Sequence, residues 1–445
     1  MDSHRPTPGK LPPLQIDRLG PAAIDSPLIA GGTHFVDDDE KIAVYAHSAD
    51  QKKCRDLNIE QPMFEMAGPR RKIFFDPGEL NCGIVTCGGL CPGLNDVIRT
   101  ITLSLIWQYR TAKVYGFRYG YAGLSSNPPV PPILLTPDLV DEIHLKGGDI
   151  LGSSRGPQDS DDMVDSLLRY NISLLFAIGG DGTLRGANEL VAAIRKRSAS
   201  ISVIGIPKTI DNDISGIDQS FGFSTAVEAS RSAINSAHAE AKGAWNGVGL
   251  VKLMGRDSGF IAAYATLANS DVNFCLIPEE PLILDGENGF LRALERRLDR
   301  KHHAVIVVAE GVGRTLTEKT APAKDASGNV VREDIGLLLK QKIAEHFRNV
   351  NKPLSLKYID PGYMIRSLPA DSNDSAFCLM LGQNAVHAGM SGRTNMVVGF
   401  WNRYFVHVPV ALTIGERKKI DPNGHLWQTV LETTGQTRNI ALLRK

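Results

Sequence analysis

Two aspartates stand two residues apart in Pro207-Lys208-Thr209-Ile210-Asp211-Asn212-Asp213-Ile214, directly after the apolar run Ile201–Ile206. The lysine and threonine ahead of them suit an anionic substrate, and Asp211 can serve as a general base. Carboxylates just past a strand end sit where open α/β sheets place their ligands. An Asp-Asn-Asp cluster forms helix or strand poorly, and taken alone it reads more readily as an Asx-rich turn than as a site.

They do not stand alone. The apolar run Ser173–Ile178 delivers Gly179-Gly180-Asp181-Gly182-Thr183. Two glycines let backbone amides face a phosphate, and Asp181 can hold magnesium opposite it. A helix-capping aspartate in a tight turn is the less favoured alternative for that stretch. Gly83–Thr86 runs straight into Cys87-Gly88-Gly89-Leu90-Cys91-Pro92-Gly93-Leu94-Asn95, where a phosphate could approach bare backbone and a helix N-terminus. Neither G-x-G-x-x-G nor G-x-x-x-x-G-K-[ST] is spelled there or elsewhere, so no standard nucleotide fingerprint applies.

Further charged groups stand at other strand ends. Arg155 closes the glycine-rich loop from Lys146, Arg256 lies in Met254-Gly255-Arg256-Asp257, and Glu310 follows Ala304–Ala309. Lys357, Tyr363 and Arg366 flank another strand end, three groups able to contact phosphate, although taken alone they read sooner as solvated cations on a loop. Phosphoryl transfer requires cradled phosphates, a held magnesium ion, neutralised charge and an oriented hydroxyl. Asp181 is the metal candidate and Asp211 the base, with Arg155 and Arg256 for developing charge.

The elements that must position these groups read as alternating strands and helices. Strands are expected near 83–86, 112–117, 173–178, 201–206, 248–253, 272–277, 304–309 and 354–359, with helices near 95–109, 184–195 and 225–241. That alternation predicts an α/β fold with mainly parallel sheets. The chain has 445 residues, enough for more than one domain, and 49 basic against 49 acidic side chains. A balanced charge argues against nucleic acid or membrane as the main partner. The apolar runs are too short for a membrane span and Met1–Leu11 lacks a signal-peptide core, which together suggest a cytoplasmic protein. The six cysteines are scattered, with no framework for disulfides or a metal, and read as small buried thiols.

Taken jointly, Cys-Gly-Gly-Leu-Cys-Pro-Gly-Leu-Asn, Gly-Gly-Asp-Gly-Thr, Pro-Lys-Thr-Ile-Asp-Asn-Asp and Leu-Met-Gly-Arg resemble the 6-phosphofructokinases, in matching order from about Gly83 to Val397. The wording is most similar to that of the ATP-dependent enzymes of plants and trypanosomes. The resemblance implies two Rossmann-like three-layer domains with mainly parallel sheets and the active site in the cleft between them. It implies an N-terminal extension at 1–80, packing on the body or a neighbouring subunit, and a nucleotide-binding domain at 81–222. A sugar-phosphate domain at 223–400, interwoven with the first, and a C-terminal extension at 401–445 would complete the chain.

By the same resemblance, ATP would phosphorylate the 1-hydroxyl of fructose 6-phosphate in a homodimer or homotetramer. Gly89, Arg155, Gly156, Gly180, Asp181, Gly182 and Thr183 would bind ATP, with Mg2+ on Asp181. Lys208, Thr209, Asp211 and Arg256 would carry catalysis, with Asp213 in support. Thr209, Ile210, Asp211, Met254, Gly255, Arg256 and Glu310 would line the sugar site. Lys357, Tyr363, Met364, Ile365 and Arg366 would hold its far end.

Two features depart from the bacterial members. Gly247 stands where they bring an arginine across a subunit interface, and Tyr363 where they show histidine. Donor choice rests on two residues that disagree. Glycine at 182 goes with ATP, because an aspartate there would repel and block the nucleotide; Lys208 is shared with pyrophosphate enzymes. Blocking is harder to tolerate than an added cation, so Gly182 carries more weight and ATP is expected. The alternatives are a pyrophosphate-dependent enzyme and a non-catalytic regulatory subunit of the same fold. The second would be expected to lose Asp181, Asp211 or Arg256, and all three are present.

Overall fold

The computed structural model describes residues 8, 9, 11–313 and 333–436. Most of the polar stretch Arg314 to Asp334, expected as a surface loop, lies outside the described residues.

Two sheets organise the chain. The larger has nine strands, and its centre is parallel: Met396–Trp401, Ser202–Pro207, Ile172–Gly179, Asn81–Thr86 and Lys113–Phe117 lie side by side in that order. Antiparallel strands complete both edges, with Tyr404–Pro409, Met63–Met66 and Lys41–Ala43 on one side and Ile133–Leu134 on the other. The second sheet is wholly parallel, in the order Phe274–Leu276, His303–Ala309, Gly247–Leu253, Ser355–Ile359. The fold is therefore α/β with mostly parallel strands. The apolar, β-branched runs of the central strands are what a sheet covered on both faces requires.

Alternation along Ile172–Gly179 shows the layering. Leu174, Phe176 and Ile178 join one core with Leu381 and Ala385 of the helix Ser372–Met390. Leu175 and Ala177 face the opposite way, into a core with Ala187, Leu190 and Ile194 of the helix Asp181–Lys196. Successive strand residues point to opposite faces, so one strand feeds two cores. The first of these cores continues without a break into the second sheet, through Val248, Leu250 and Val307.

The described segments on either side of the central strands belong to the body. Lys41–Ala43 and Met63–Met66 extend the large sheet, and the link is reinforced by a buried guanidinium. Arg393 bonds Asp38 at 2.7 Å through Nη2 and Glu65 at 2.7 Å through Nε, tying residues before the first central strand to residues after the last long helix. All six cysteines are buried and unpaired. Among the described residues no helix is long and apolar enough to cross a membrane.

Candidate active site

Parallel, in-register strands bring their C-terminal ends together, and that is what assembles the site. Pro207 pairs with Gly179, and Thr86 with Ile178, so the three loops that follow are neighbours. In the second sheet Leu253 pairs with Ala309, which sets Met254 beside Glu310. Between the two sets of loops lies a cleft of about 680 Å³.

Its walls hold Gly89, Arg155, Gly156, Gly180, Asp181, Gly182, Thr183, Lys208, Thr209, Ile210, Asp211, Met254, Arg256, Glu310 and Arg366. Gly255 is not on that wall; it sits at φ 125°, where an added Cβ would meet the Ser258 carbonyl at 2.5 Å. Its role is to let the chain turn sharply between Met254 and Arg256. Ile365 is buried beneath the site. Lys357, Tyr363 and Met364 are exposed and do not line the cleft of a single chain; Tyr363 is 78% and Met364 73% accessible. Tyr363 nonetheless touches the site through Arg366, whose guanidinium lies 4.4 Å above its ring.

The Asp211 turn is held by its neighbours rather than by local propensity. Asn212 takes a left-handed conformation, φ 53°, which asparagine tolerates better than most residues. Its side chain accepts from the Ser220 amide at 3.0 Å and donates to the Asp218 carbonyl at 3.3 Å. Thr209 Oγ1 accepts from the Asp211 amide at 3.2 Å and donates to Asp213 Oδ1 at 2.8 Å. Asp211 Oδ2 accepts from the Arg256 amide at 3.4 Å, while the buried Oδ1 has no protein partner. Burial first, then the charges of Asp213 and Glu310, push the Asp211 carboxyl well above the usual carboxylate range. A buried carboxylate with an open oxygen and a raised proton affinity is suited to take a proton from a hydroxyl.

Cations gather in the same cleft. Lys208 is buried and its Nζ donates to the Gly89 carbonyl at 2.6 Å. Burial lowers its proton affinity, against the pull of Cys91, Cys87 and Asp149. A Cβ built on Gly89 would lie 3.3 Å from Arg155 Nη2 and 3.9 Å from Arg366 Nη1, so both guanidinium groups converge on the same bare backbone. The Arg155 loop reaches it because Gly88 donates to the Ser154 carbonyl at 3.1 Å and Ser153 Oγ to the Gly88 carbonyl at 2.6 Å.

Asp181 opens the helix Asp181–Lys196, with Gly180 as its cap and Arg185 paired to Oδ2 at 3.0 Å. Gly182 is exposed on this first turn, and nothing lies within 4 Å of where its Cβ would be. Among the described residues no three His, Cys, Asp or Glu side chains cluster as a metal cage. One or two carboxylates facing a phosphate site is the donor set by which Mg2+ is usually held.

Sequence reasoning missed several wall residues: Tyr121, Arg185, Glu189, Thr413, Gly415, Glu416 and Arg417. Arg185 and Glu189 follow Asp181 at four and eight residues, a spacing that shares one helix face and could have flagged them. Nothing local marks Arg417. Gly247, in turn, has no room for any side chain, since a Cβ there would sit 2.0 Å from the Ala241 carbonyl.

A family model described as phosphofructokinase matches residues 81–389. The chain is 48% identical over 434 residues to an ATP-dependent 6-phosphofructokinase of Borreliella burgdorferi, covering 95% of this chain and 96% of the relative. It is 44% identical over 428 residues to the enzyme of that name from Trypanosoma brucei brucei, covering 95% and 87%. Among solved structures, a pyrophosphate-dependent phosphofructokinase of Marinobacter aquaeolei shares the fold at TM-score 0.65 and 18% identity, over 82% of this chain and 89% of that one. The match across most of its length means that the chain belongs to the phosphofructokinase family.

Proposed function

We propose that this chain transfers the γ-phosphoryl group of ATP to the 1-hydroxyl of D-fructose 6-phosphate, giving fructose 1,6-bisphosphate and ADP as the committed step of glycolysis. The observation that carries the reading is Asp211, a buried carboxylate with an unpartnered oxygen on the wall of a cleft also lined by Arg155, Lys208, Arg256 and Arg366. Asp211 takes the proton of the sugar hydroxyl while Arg155, Lys208 and Arg256 offset charge on the transferred group. The Gly180–Thr183 turn cradles the nucleotide phosphates at a helix N-terminus. Asp181 would hold Mg2+ against those phosphates; the ion would neutralise their charge. Met254, Glu310 and Arg366 grip the sugar phosphate, with Tyr363 supporting Arg366 from behind and Lys357 at the far end.

ATP is favoured over pyrophosphate because the space around Gly182 is open to a nucleotide. Lys208 is engaged with the Gly89 carbonyl, which makes it a fixed charge rather than a second donor-selecting group. A cytoplasmic homodimer or homotetramer completes the proposal. Its test is Asp211→Ser: turnover falls by about 100- to 10,000-fold, the range expected of a general base, while fructose 6-phosphate binding is retained. Unchanged turnover would remove Asp211 from the mechanism.

A further inference from the structure

Beyond the stretch matched by the family model, the chain returns to the cleft. One nitrogen of Arg417 joins two carboxylates of different origin: Nη1 is 2.9 Å from Asp213 Oδ2 and 3.1 Å from Asp257 Oδ2. Asp213 belongs to the turn after Ser202–Pro207 of the nine-stranded sheet. Asp257 follows Gly247–Leu253 of the four-stranded sheet. From Asp213 the bonds continue inward, since its Oδ1 accepts from Thr209 Oγ1 and that oxygen accepts from the Asp211 amide. Arg417 is thus three hydrogen bonds from the backbone of the proposed base.

Its guanidinium is not what fixes its own segment. The Lys418 amide donates to the Asp213 carbonyl at 2.8 Å, and Lys418 Nζ donates to the carbonyls of Ile217 and Asp218 at 3.2 and 2.9 Å. The Ile420 amide donates to Glu279 Oε1 at 2.9 Å, and Ser215 Oγ bonds the Glu416 carbonyl. These bonds persist when residue 417 changes. What would be lost is the cation between Asp213 and Asp257, leaving the Arg256 amide and Ser258 Oγ, which donate to Asp211, to join the loops of the two sheets. Arg417 also opposes, from a distance, the upward push on the Asp211 carboxyl.

We infer that Arg417 is a positioning residue for the transfer proposed above. It ties Asp213 to Asp257 across the cleft and, through Thr209, fixes where Asp211 presents its open oxygen. The inference rests on that reading of the site. With Thr413, Gly415 and Glu416 of the cleft wall, Arg417 comes from outside residues 81–389, so a segment beyond the matched domain has been built into the catalytic turn.

The experiment compares wild type with Arg417→Ala, measuring kcat, both KM values and the thermal midpoint, with the donor that the wild-type chain uses. A failure of the ATP assignment then shows in the wild type, whereas the inference is read from the ratio of variant to wild type. The expected result is a fall in kcat on the order of 100-fold, the scale of an ångström's misplacement, with both KM values within about threefold. Added guanidinium, below concentrations that unfold the chain, should restore part of that kcat. A double-mutant cycle with Asp257→Asn should be non-additive. Arg417→Gln, which keeps a donor but not the charge, carries the same comparison should the alanine chain not fold. A lowered thermal midpoint with unchanged kcat would reduce Arg417 to a structural tie. A raised ATP KM at unchanged kcat would make it a phosphate contact. Either result overturns the inference.

Discussion

Replacing Gly182 with aspartate should separate activity from stability, because the two depend on different properties of the same position. The residue lies on the exposed first turn of the helix Asp181–Lys196, and nothing approaches its missing Cβ within 4 Å. Folding should therefore tolerate the change. A carboxylate near a helix N-terminus gains about 0.3–1 kcal/mol from the dipole, and removing a helical glycine adds a few tenths more. In a chain of this size that is a rise in Tm of about 1–2 °C.

Catalysis with ATP should move the opposite way. A carboxylate about 4 Å from a phosphate oxygen, at an effective dielectric near 20, costs about 4 kcal/mol. Arg185, three residues on, can turn towards the new charge, and solvent reaches this turn. Halving the figure on those grounds leaves about 2 kcal/mol. The expected loss of kcat/KM for ATP is thus roughly 30-fold, with the unhalved figure setting a ceiling of about 700-fold. Gly182→Ala, which adds bulk without charge, separates blocking from repulsion. Steady-state rates at fixed fructose 6-phosphate, beside thermal melts of the same samples, provide the assay. Gly182→Asp with kcat/KM for ATP within threefold of wild type would refute the reasoning, because position 182 would then not face the nucleotide.

Two further outcomes concern stability. Gly247→Arg, which installs the residue of the bacterial members, should leave little folded protein on expression, since even a Cβ there sits 2.0 Å from the Ala241 carbonyl. Gly247→Ala should cost about 1–3 kcal/mol in urea unfolding, and no cost would mean that the helix above it yields freely. The other outcome concerns His407, whose fully buried ring lies 3.7 Å from Glu65 near Arg393, Arg70 and His387. Burial first, with repulsion from Arg393 and Arg70, outweighs the pull of Glu65 and lowers it to about 4. The unfolded chain therefore binds a proton below about pH 6.5 that the native chain refuses until about pH 4, so stability rises with pH across that window. His407→Phe should flatten the slope there by up to about 1.4 kcal/mol per pH unit, and an unaltered slope would mean that His407 is protonated in the native chain.

The parallel strands were legible because each is a short β-branched run ending at a glycine or charged residue. Ser173–Ile178 and Ala304–Ala309 were read within a residue or two of Ile172–Gly179 and His303–Ala309. The loops that follow them were legible for the same reason, since the periodicity stops where the chemistry begins. What holds those loops was not. Asn212 looked like part of a chemical cluster, yet its side chain anchors the turn to Ser220 and Asp218. Thr209 looked like a substrate contact, yet its hydroxyl is shared between Asp211 and Asp213.

The ends of the chain were least legible. Met63–Met66 and Tyr404–Pro409 are antiparallel strands near one edge of the large sheet whose pairing spans more than 300 residues of sequence, and no local pattern encodes such a partner. Arg417 is hidden for the same reason, because its importance comes from Asp213 and Asp257 rather than from its own neighbours. Lys357 and Tyr363 mark the opposite limit: a segment can carry the right residue types and still present them to solvent in a single chain.

The most direct test of the central claim is the initial rate of fructose 6-phosphate phosphorylation by the full chain with magnesium, comparing ATP with pyrophosphate. Turnover with ATP and none above background with pyrophosphate is the predicted result, with open Gly182 deciding the donor. Turnover with pyrophosphate and not with ATP would contradict it and would make Lys208 the residue that selects the donor.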